Sequence, residues 1–258
     1  MLTPRYRVVK IGGRAQADTR LAATVAAAVR SGERLCLVHG GGDEVSALQR
    51  RLGLEPTFVG GRRVTSATDL EIVRMVLSGA TNKRLTAQLI GAGVRAVGIS
   101  GEDGGLFRAR VVDPGLGRVG GDIAVDSGIV VTLMAAGFTP VISPLARDAD
   151  DAAGGGLNVN GDDAAAALAA ALSADDLVLV ADVPGVMRDS VIVEVLDQNG
   201  ARELVRQGVA TGGMTAKLDA ARRALDAGVP CVRIAGIGGI ADRNAGTRIV
   251  PSLTTTTR

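Results

Sequence analysis

Aromatic residues are nearly missing from this sequence: it has no tryptophan, one tyrosine and three phenylalanines among 258 residues. A basic stripe interleaved with aromatics, the footprint of a nucleic-acid surface, is therefore not present, and the net charge of +2 comes from scattered Lys and Arg. Long hydrophobic runs are also lacking. None approaches the ~18 apolar residues that span a membrane, and the opening MLTPRYRVVKIGG carries no apolar stretch of secretory-signal length. Only two cysteines occur, Cys36 and Cys231, far apart and inside apolar strand-like runs; they read as buried free thiols rather than a disulfide or metal site. The single histidine, His39, leaves no obvious Cys–His or Ser–His pairing, and there is no dense cluster of metal ligands. Together these absences point to a cytoplasmic protein with neither membrane nor nucleic acid as partner.

What is present is aliphatic residue and glycine. Hydrophobic residues make up 47% of the chain, so the core is built from Ala, Val, Leu and Ile. The 36 glycines fall in tight clusters between apolar runs, where backbone approaches something closely. Short β-branched runs alternate with longer Ala/Leu-rich segments of helical period. Strands are expected over Arg7–Ile11, Leu35–Val38, Ala96–Ser100, Thr139–Ser143, Leu177–Ala181 and Cys231–Ala235. Helices are expected over Thr19–Ser31, Glu44–Leu52, Ala67–Gly91, Ser127–Ala136, Asp162–Leu172, Ala201–Val205 and Thr215–Ala227. Strand–helix–strand alternation is the mark of an α/β fold with a largely parallel sheet. Two hairpin-like regions, Gly104–Ile123 and Gly154–Asn160, interrupt it. A change of character at RDADDAAGGG divides the chain into lobes 1–153 and 154–258, and the tail SLTTTTR reads as frayed.

Six strand-end motifs carry the chemical information. Val8-Val9-Lys10-Ile11-Gly12-Gly13 places a lysine beside bare amides that can face an anion; a tight βα turn with a snorkelling lysine accounts for the same residues. It is not a Walker A loop, whose spacing occurs nowhere in the chain. His39-Gly40-Gly41-Gly42 leaves free N–H groups at the carboxyl edge of a sheet, where ligands bind in open α/β folds. His39, without an evident partner, reads as structural. In Gly61-Arg62-Arg63-Val64-Thr65 either arginine holds a carboxylate or simply faces solvent. In Asn158-Val159-Asn160-Gly161-Asp162 the two amides fall on one side, and Asp162 sits where a carboxylate caps or complements a helix N-terminus. Ala181-Asp182-Val183-Pro184-Gly185-Val186 closes a further strand. Finally, Thr211-Gly212-Gly213 feeds a helix whose first turn holds Lys217, a cation disfavoured there unless something negative is near. Two lysines at phosphate-suited turns, one carboxylate to orient them and several glycine-rich loops form the inventory of phosphoryl transfer, which needs positioning and positive charge. A hydride-transfer enzyme would show G-x-G-x-x-G after the first strand, and Lys10–Arg14 does not supply it.

Taken in order, VVKIGG, HGGGDEV, GGRRVT, SGEDGGL, LNVNGDDAAAALAAAL, ADVPGV and TGGMTAKLDAA resemble the amino acid kinase family from Tyr6 to Val250. Each motif is weak alone; the ordered set is specific. The resemblance implies a three-layer αβα sandwich around an open, mostly parallel sheet, usually a homodimer. It implies an N-terminal lobe (1–153) for the acyl amino acid and dimerisation, and a C-terminal lobe (154–258) for ATP. By motif, Lys10 and Lys217 stabilise the transferring phosphoryl group, Asp162 holds both lysines, and Gly13 and Gly41 donate backbone hydrogen bonds to the phosphates. Gly41, Gly42, Arg63 and Asn158 hold the substrate, with Arg63 on its α-carboxylate. Ala181, Asp182, Val183, Pro184, Gly185 and Val186, together with Val209, Ala210 and Thr211, face ATP. Mg²⁺ is held mainly by phosphates and water, without a protein metal site. The implied reaction is phosphorylation of the γ-carboxylate of N-acetyl-L-glutamate, the second step of arginine biosynthesis. Alternatives on the same fold are a kinase for carrier-protein-bound aminoadipate or glutamate in lysine synthesis, and a non-catalytic nucleotide sensor. Asp43-Glu44 and Gly161 depart from the common pattern, with an altered helix cap and a slightly looser loop as expected consequences. The chain starts close to its first strand, which by resemblance suits a dimer without arginine feedback.

Overall fold

The computed structural model describes residues 5–153 and 155–252. Its central strand, β1 (Tyr6–Ile11), turns Val8 into one core and Val9 and Ile11 into another, so both faces of the sheet are covered. Beside it lie β2 (Arg34–His39), then β8 (Thr139–Ser143) and β5 (Ala96–Ser100) at one edge. On its other side follow β11 (Asp176–Val180), β15 (Val232–Ala235), β16 (Thr247–Val250) and β14 (Val195–Asp197). Every pairing in this eight-stranded sheet is parallel except β15 with β16. The sheet strands up to residue 143 thus occupy one half of the sheet and those from residue 176 onward the other, joined at β1–β11.

Helices α1 (Leu21–Arg30) and α4 (Asn82–Gly91) cover one face with Val25, Leu85 and Leu89. Helices α5 (Gly128–Ala135), α6 (Gly161–Ala171), α7 (Gln198–Arg206) and α8 (Gly213–Asp226) cover the other with Val130, Leu168, Leu204 and Leu218. A third cluster joins α2 (Gly42–Arg51) to α3 (Ala67–Val73) through Val45, Leu70 and Val73. The three-layer α/β architecture is the one the sequence implies. The two hairpin-like regions turn out to be one structure. Strands β6 (Phe107–Val111), β7 (Val119–Val125), β9 (Leu145–Asp148) and β10 (Gly156–Val159) close into a small barrel, in which β10 pairs antiparallel to β9 and parallel to β7. The barrel therefore spans the 153/154 lobe division, and β10 leads straight into α6. Short hairpins β3–β4 (Phe58–Val59, Arg62–Arg63) and β12–β13 (Met187–Arg188, Val191–Ile192) complete the sheets.

Several elements differ from the sequence reading. The expected helix Ala67–Gly91 is interrupted by a π-helical stretch, Arg74–Thr81, between α3 and α4. Its last residues, Ser-Gly-Ala-Thr, include weak helix formers, and two are cross-linked outside the helix: Ser78 Oγ lies 2.7 Å from Ser143 Oγ, and the Thr81 hydroxyl donates to Glu44 at 2.5 Å. Helix α8 begins at Gly213, so Lys217 sits one turn inside it rather than in its first turn. Cys36 is buried, but Cys231 is only partly so, one residue ahead of β15; both are free. The tail from Leu253 and the residue Gly154 lie outside the described residues.

Candidate active site

Strands β1 and β2 end side by side, and their glycine loops abut. The Gly40 N–H donates to Ile11 O at 2.9 Å, and a Cβ placed on Gly13 would stand 3.6 Å from the Gly41 nitrogen. Gly41 has φ +151°, and a Cβ there would lie 2.7 Å from Leu77 Cδ2, so only glycine carries the chain through this point. His39 anchors the loop from beneath. Fully buried, it bonds the Gly40 carbonyl through Nδ1 at 2.8 Å and meets Asn82 Nδ2 through Nε2 at 3.1 Å. Burial pushes its pKa down to about 4, so the ring is neutral at pH 7, donating to Gly40 and accepting from Asn82. This is the structural role the sequence assigns it.

Across from these loops, β10 delivers α6. Its cap is Asn160, whose Oδ1 accepts from the backbone N–H groups of Asp162 (2.8 Å) and Asp163 (3.3 Å). Capping by Asn160 corrects the reading of Asp162 as a possible cap and releases its carboxylate for side chains. Lys10 Nζ lies 3.0 Å from Asp162 Oδ1. Lys217 Nζ, arriving from α8, lies 3.2 and 3.4 Å from the two oxygens. All three side chains are buried to about nine-tenths. Burial pushes the Asp162 carboxyl upward, but the two ammonium groups outweigh it and hold the group below the usual carboxylate range. Lys217 is lowered from its ordinary value by burial and by the neighbouring Lys10 charge, against the pull of Asp162. The cluster sets two amine groups against one carboxylate, in a site able to favour an anion. Gly161 has a steric part here: a Cβ on it would come within 3.3 Å of Lys10 Cε, so its missing side chain makes room for the lysine.

A cavity of about 210 Å³ opens beside this cluster, and Gly41, Gly42, Arg63 and Asn158 all line it. Arg63 is not on a loop but on β4, buried, with its guanidinium 4.6 Å above the Phe58 ring. Its Nη2 donates to Gly42 O and Ser46 Oγ, both at 2.7 Å, and its Nη1 donates to Gln49. Nε–H and one Nη1–H remain for another acceptor. Asn158 Nδ2 donates to Thr65 Oγ1 at 3.2 Å. The sequence reading missed Ser46 and Gln49; one turn apart on α2, they were legible only as an amphipathic helix face.

Ala181, Asp182, Val183 and Pro184 border a separate cavity of about 430 Å³, shared with Arg14, Arg20 and Gly236–Gly238. Gly185 and Val186 do not line it. Val186 is buried and donates its N–H to Thr247 Oγ1 at 2.8 Å, and a Cβ on Gly185 would strike the same oxygen at 2.8 Å. Val209, Ala210 and Thr211 also lie away from it, leading into α8: Met214 N–H donates to Thr211 O, and Thr215 Oγ1 donates to Ala210 O. Gly236-Ile237-Gly238-Gly239 is a strand-end glycine cluster of the kind read elsewhere in the chain, and was overlooked. Among the described residues no group of three or more His, Cys, Asp or Glu is placed to hold a metal ion, and no helix is long and apolar enough to cross a membrane.

On an αβα fold with an open, mostly parallel sheet, a lysine of β1 and a lysine of α8 converge on one aspartate, an arrangement suited to holding a phosphoryl group. Residues 5–236 match the amino acid kinase family, to which this chain belongs. An acetylglutamate kinase of Chloroflexus aurantiacus is 43% identical over 245 residues, covering 93% of this chain and 95% of that one. The acetylglutamate kinase of Methanopyrus kandleri is 45% identical over 215 residues, covering 79% and 86%. Among solved structures, smu.665 of Streptococcus mutans superposes with a TM-score of 0.85 at 27% identity, covering 96% of this chain and 99% of that one.

Proposed function

We propose that this chain phosphorylates the γ-carboxylate of N-acetyl-L-glutamate with ATP, giving N-acetylglutamyl 5-phosphate in the second step of arginine biosynthesis. The observation that carries the reading is the meeting of Lys10 and Lys217 on Asp162, beside a cavity that unites Gly41, Gly42, Arg63 and Asn158. The names of the relatives at 43–45% identity support the same substrate.

In this mechanism Asp162 keeps both ammonium groups aimed at the reacting centre, and the lysines stabilise negative charge developing on the transferring phosphoryl group. The amides of Gly13 and Gly41, at adjoining loops, donate to the phosphate oxygens. Arg63 offers its remaining N–H groups to the substrate's α-carboxylate, while Ser46, Gln49 and the Gly42 carbonyl fix its orientation. Asn158 and Gly42 complete the substrate cavity. The substrate γ-carboxylate is ionised at neutral pH, so no general base is required, consistent with a neutral, buried His39. The nucleotide lies against Ala181, Asp182, Val183 and Pro184, with Gly185 and Val186 supporting that turn and Val209, Ala210 and Thr211 leading into the Lys217 helix. ATP would supply the phosphoryl group, and a Mg²⁺ ion carried on its phosphates would neutralise part of its charge, with Lys10 and Lys217 the protein's own cations there. Lobe 1–153 binds the acyl amino acid, with Asn158 reaching back from lobe 154–258, which binds ATP. We place the enzyme in the cytoplasm as a homodimer, a state that sedimentation velocity would measure directly.

An ADP-release assay across a panel of free and carrier-bound acyl amino acids tests the reading. Turnover with free N-acetyl-L-glutamate is the expected result; ADP release only with a carrier-bound substrate, or none at all, would reject it. Arg63→Ala is expected to raise KM for N-acetyl-L-glutamate about 10–100-fold, the scale of a lost charged hydrogen bond, with a smaller change in kcat.

A further inference from the structure

Asp163, next to Asp162, has no part in the mechanism above, yet it takes an arginine from each side. Arg62 Nη2, on the hairpin β3–β4, lies 3.2 Å from Asp163 Oδ2. Arg223 Nη2, on α8, donates to Asp163 Oδ1. The carboxylate is mostly buried, at 16% side-chain exposure, while Arg62 and Arg223 are 32% and 43% exposed. Among the described residues, this is the one ion pair between the hairpin and α6; α8 meets α6 through two, Lys217–Asp162 and Arg223–Asp163. Arg62, Asp163 and Arg223 together border both a groove of about 480 Å³ along α6 and a cavity of about 580 Å³ at Asp162. The three side chains thus bridge the gap between hairpin and helix, and Arg62 also reaches the 210 Å³ cavity.

We propose that Asp163 is a positioning residue, the common anchor of the substrate-side hairpin and of the helix that carries Lys217. The proposal rests on the kinase reading given above. Through Arg62 the carboxylate fixes the hairpin on which Arg63, the next residue, stands. Through Arg223 it fixes α8 at a second point. Lys217 and Arg223 are six residues apart, about 9 Å along the helix axis, and two consecutive aspartates of α6 receive them. A helix tied at two such points cannot pivot, so the Lys217 ammonium is held on Asp162. Loss of the Asp163 charge does more than cut these ties: it leaves Arg62 and Arg223 facing each other as like charges and drives the hairpin and α8 apart.

Steady-state kinetics with ATP and N-acetyl-L-glutamate test the anchor through its split between KM and kcat. Arg62→Gln is expected to raise KM and Arg223→Gln to lower kcat, each about 5-fold, and Asp163→Asn to do both, the scale of coupled neighbouring charges. The decisive comparison is a cycle. In the Asp163→Asn background, Arg223→Gln is expected to cost nothing in kcat or to restore it, because the anchor is already gone and a repulsion is relieved. The anchor is overturned if Asp163→Asn leaves KM and kcat within about 2-fold of the parent, or if Arg223→Gln lowers kcat equally in both backgrounds. Hydrogen exchange reads the same connection without turnover, and so separates failure of the anchor from failure of the kinase reading. Asp163→Asn should speed exchange in both residues 58–63 and α8, and Arg223→Gln in α8 alone; unchanged exchange in Asp163→Asn discards the anchor whatever the substrate is.

Discussion

Two buried aspartates in this molecule each sit between two cations, and both clusters use β1. At its carboxyl end, Lys10 joins Lys217 on Asp162; at its start, Arg7 joins Arg233 on Asp176. Two cations meet one aspartate in each, yet the surroundings differ: Arg7 Nη1 also lies 3.6 Å from Glu33, which Arg243 pairs in turn. Arg7 is fully buried and also donates to Ile240 O at 3.0 Å. Arg233 donates to the carbonyls of Gly239, Asp242 and Ala245 at 3.0–3.1 Å as well as to Asp176. The Arg233 fork is consumed by backbone carbonyls, and the cluster staples the segment after β15, including its glycine turn, to the sheet. The lysines bond only Asp162 among the described residues. Each ammonium has three N–H groups, so donors remain, and Asp162 itself borders the cavity of about 580 Å³. Closing a cation with carbonyls makes a structural joint, whereas leaving its donors free makes a site.

The comparison breaks most sharply at Asp176. Asp176→Ala strands two buried arginines and is expected to cost about 3–5 kcal/mol of stability, measured by denaturant unfolding. A cost below about 1 kcal/mol would show that the arginines do not need it. Lys217→Ala should behave in the opposite way: kcat falls about 10²–10³-fold on loss of one preorganised charge, while stability changes by about 1 kcal/mol or less, since Lys10 still pairs Asp162 and a like-charge contact is removed. Survival of kcat within a few-fold would take Lys217 out of the reaction.

Acid sharpens the contrast further, because His39 lies beneath the lysine cluster only. Its folded pKa is lowered from 6.5 to about 4, so the unfolded chain binds the extra proton first. Stability is complete above pH 6.5 and declines as pH falls towards about 4, by about 3 kcal/mol across that window. His39→Gln should flatten this slope in unfolding midpoints measured at pH 7 and pH 5; an unaltered slope would assign it to other groups. The smallest effect belongs to Arg233→Lys, which keeps the charge but loses the fork to three carbonyls. A loss of about 1–2 kcal/mol is expected, with kcat retained when ATP saturates.

Much of the lysine site was legible before any coordinates. Lys10, Gly13, Gly41 and Asp162 stand in strand-end or helix-start motifs whose local chemistry suits an anion, and Lys217 stands out as a cation near a helix N-terminus. Asn158 and Arg63 were legible as residues but not in their settings, since the strand pairing that buries Arg63 spans only two residues. The cap on α6 was misjudged because Asn160 and Asp162 both suit capping by type, and only backbone geometry decides between them. The arginine cluster left no signal: Arg7, Asp176 and Arg233 lie in apolar runs where a charge reads as an interruption. The π-helical stretch was equally silent, as its hydrophobic spacing resembles that of an ordinary helix.

The sequence by itself determined the alternation of strands and helices, the glycine loops that close the strands, and the aliphatic faces that build both cores. These follow from periods of two and 3.6 residues, which are local. Only the tertiary structure decided which charges meet. Asp162 finds lysines 152 residues before and 55 after it, and Arg7 faces Asp176 because β11 happens to pair with β1. Such meetings depend on strand order and register, and a charged side chain carries no periodic trace of the partner it will find.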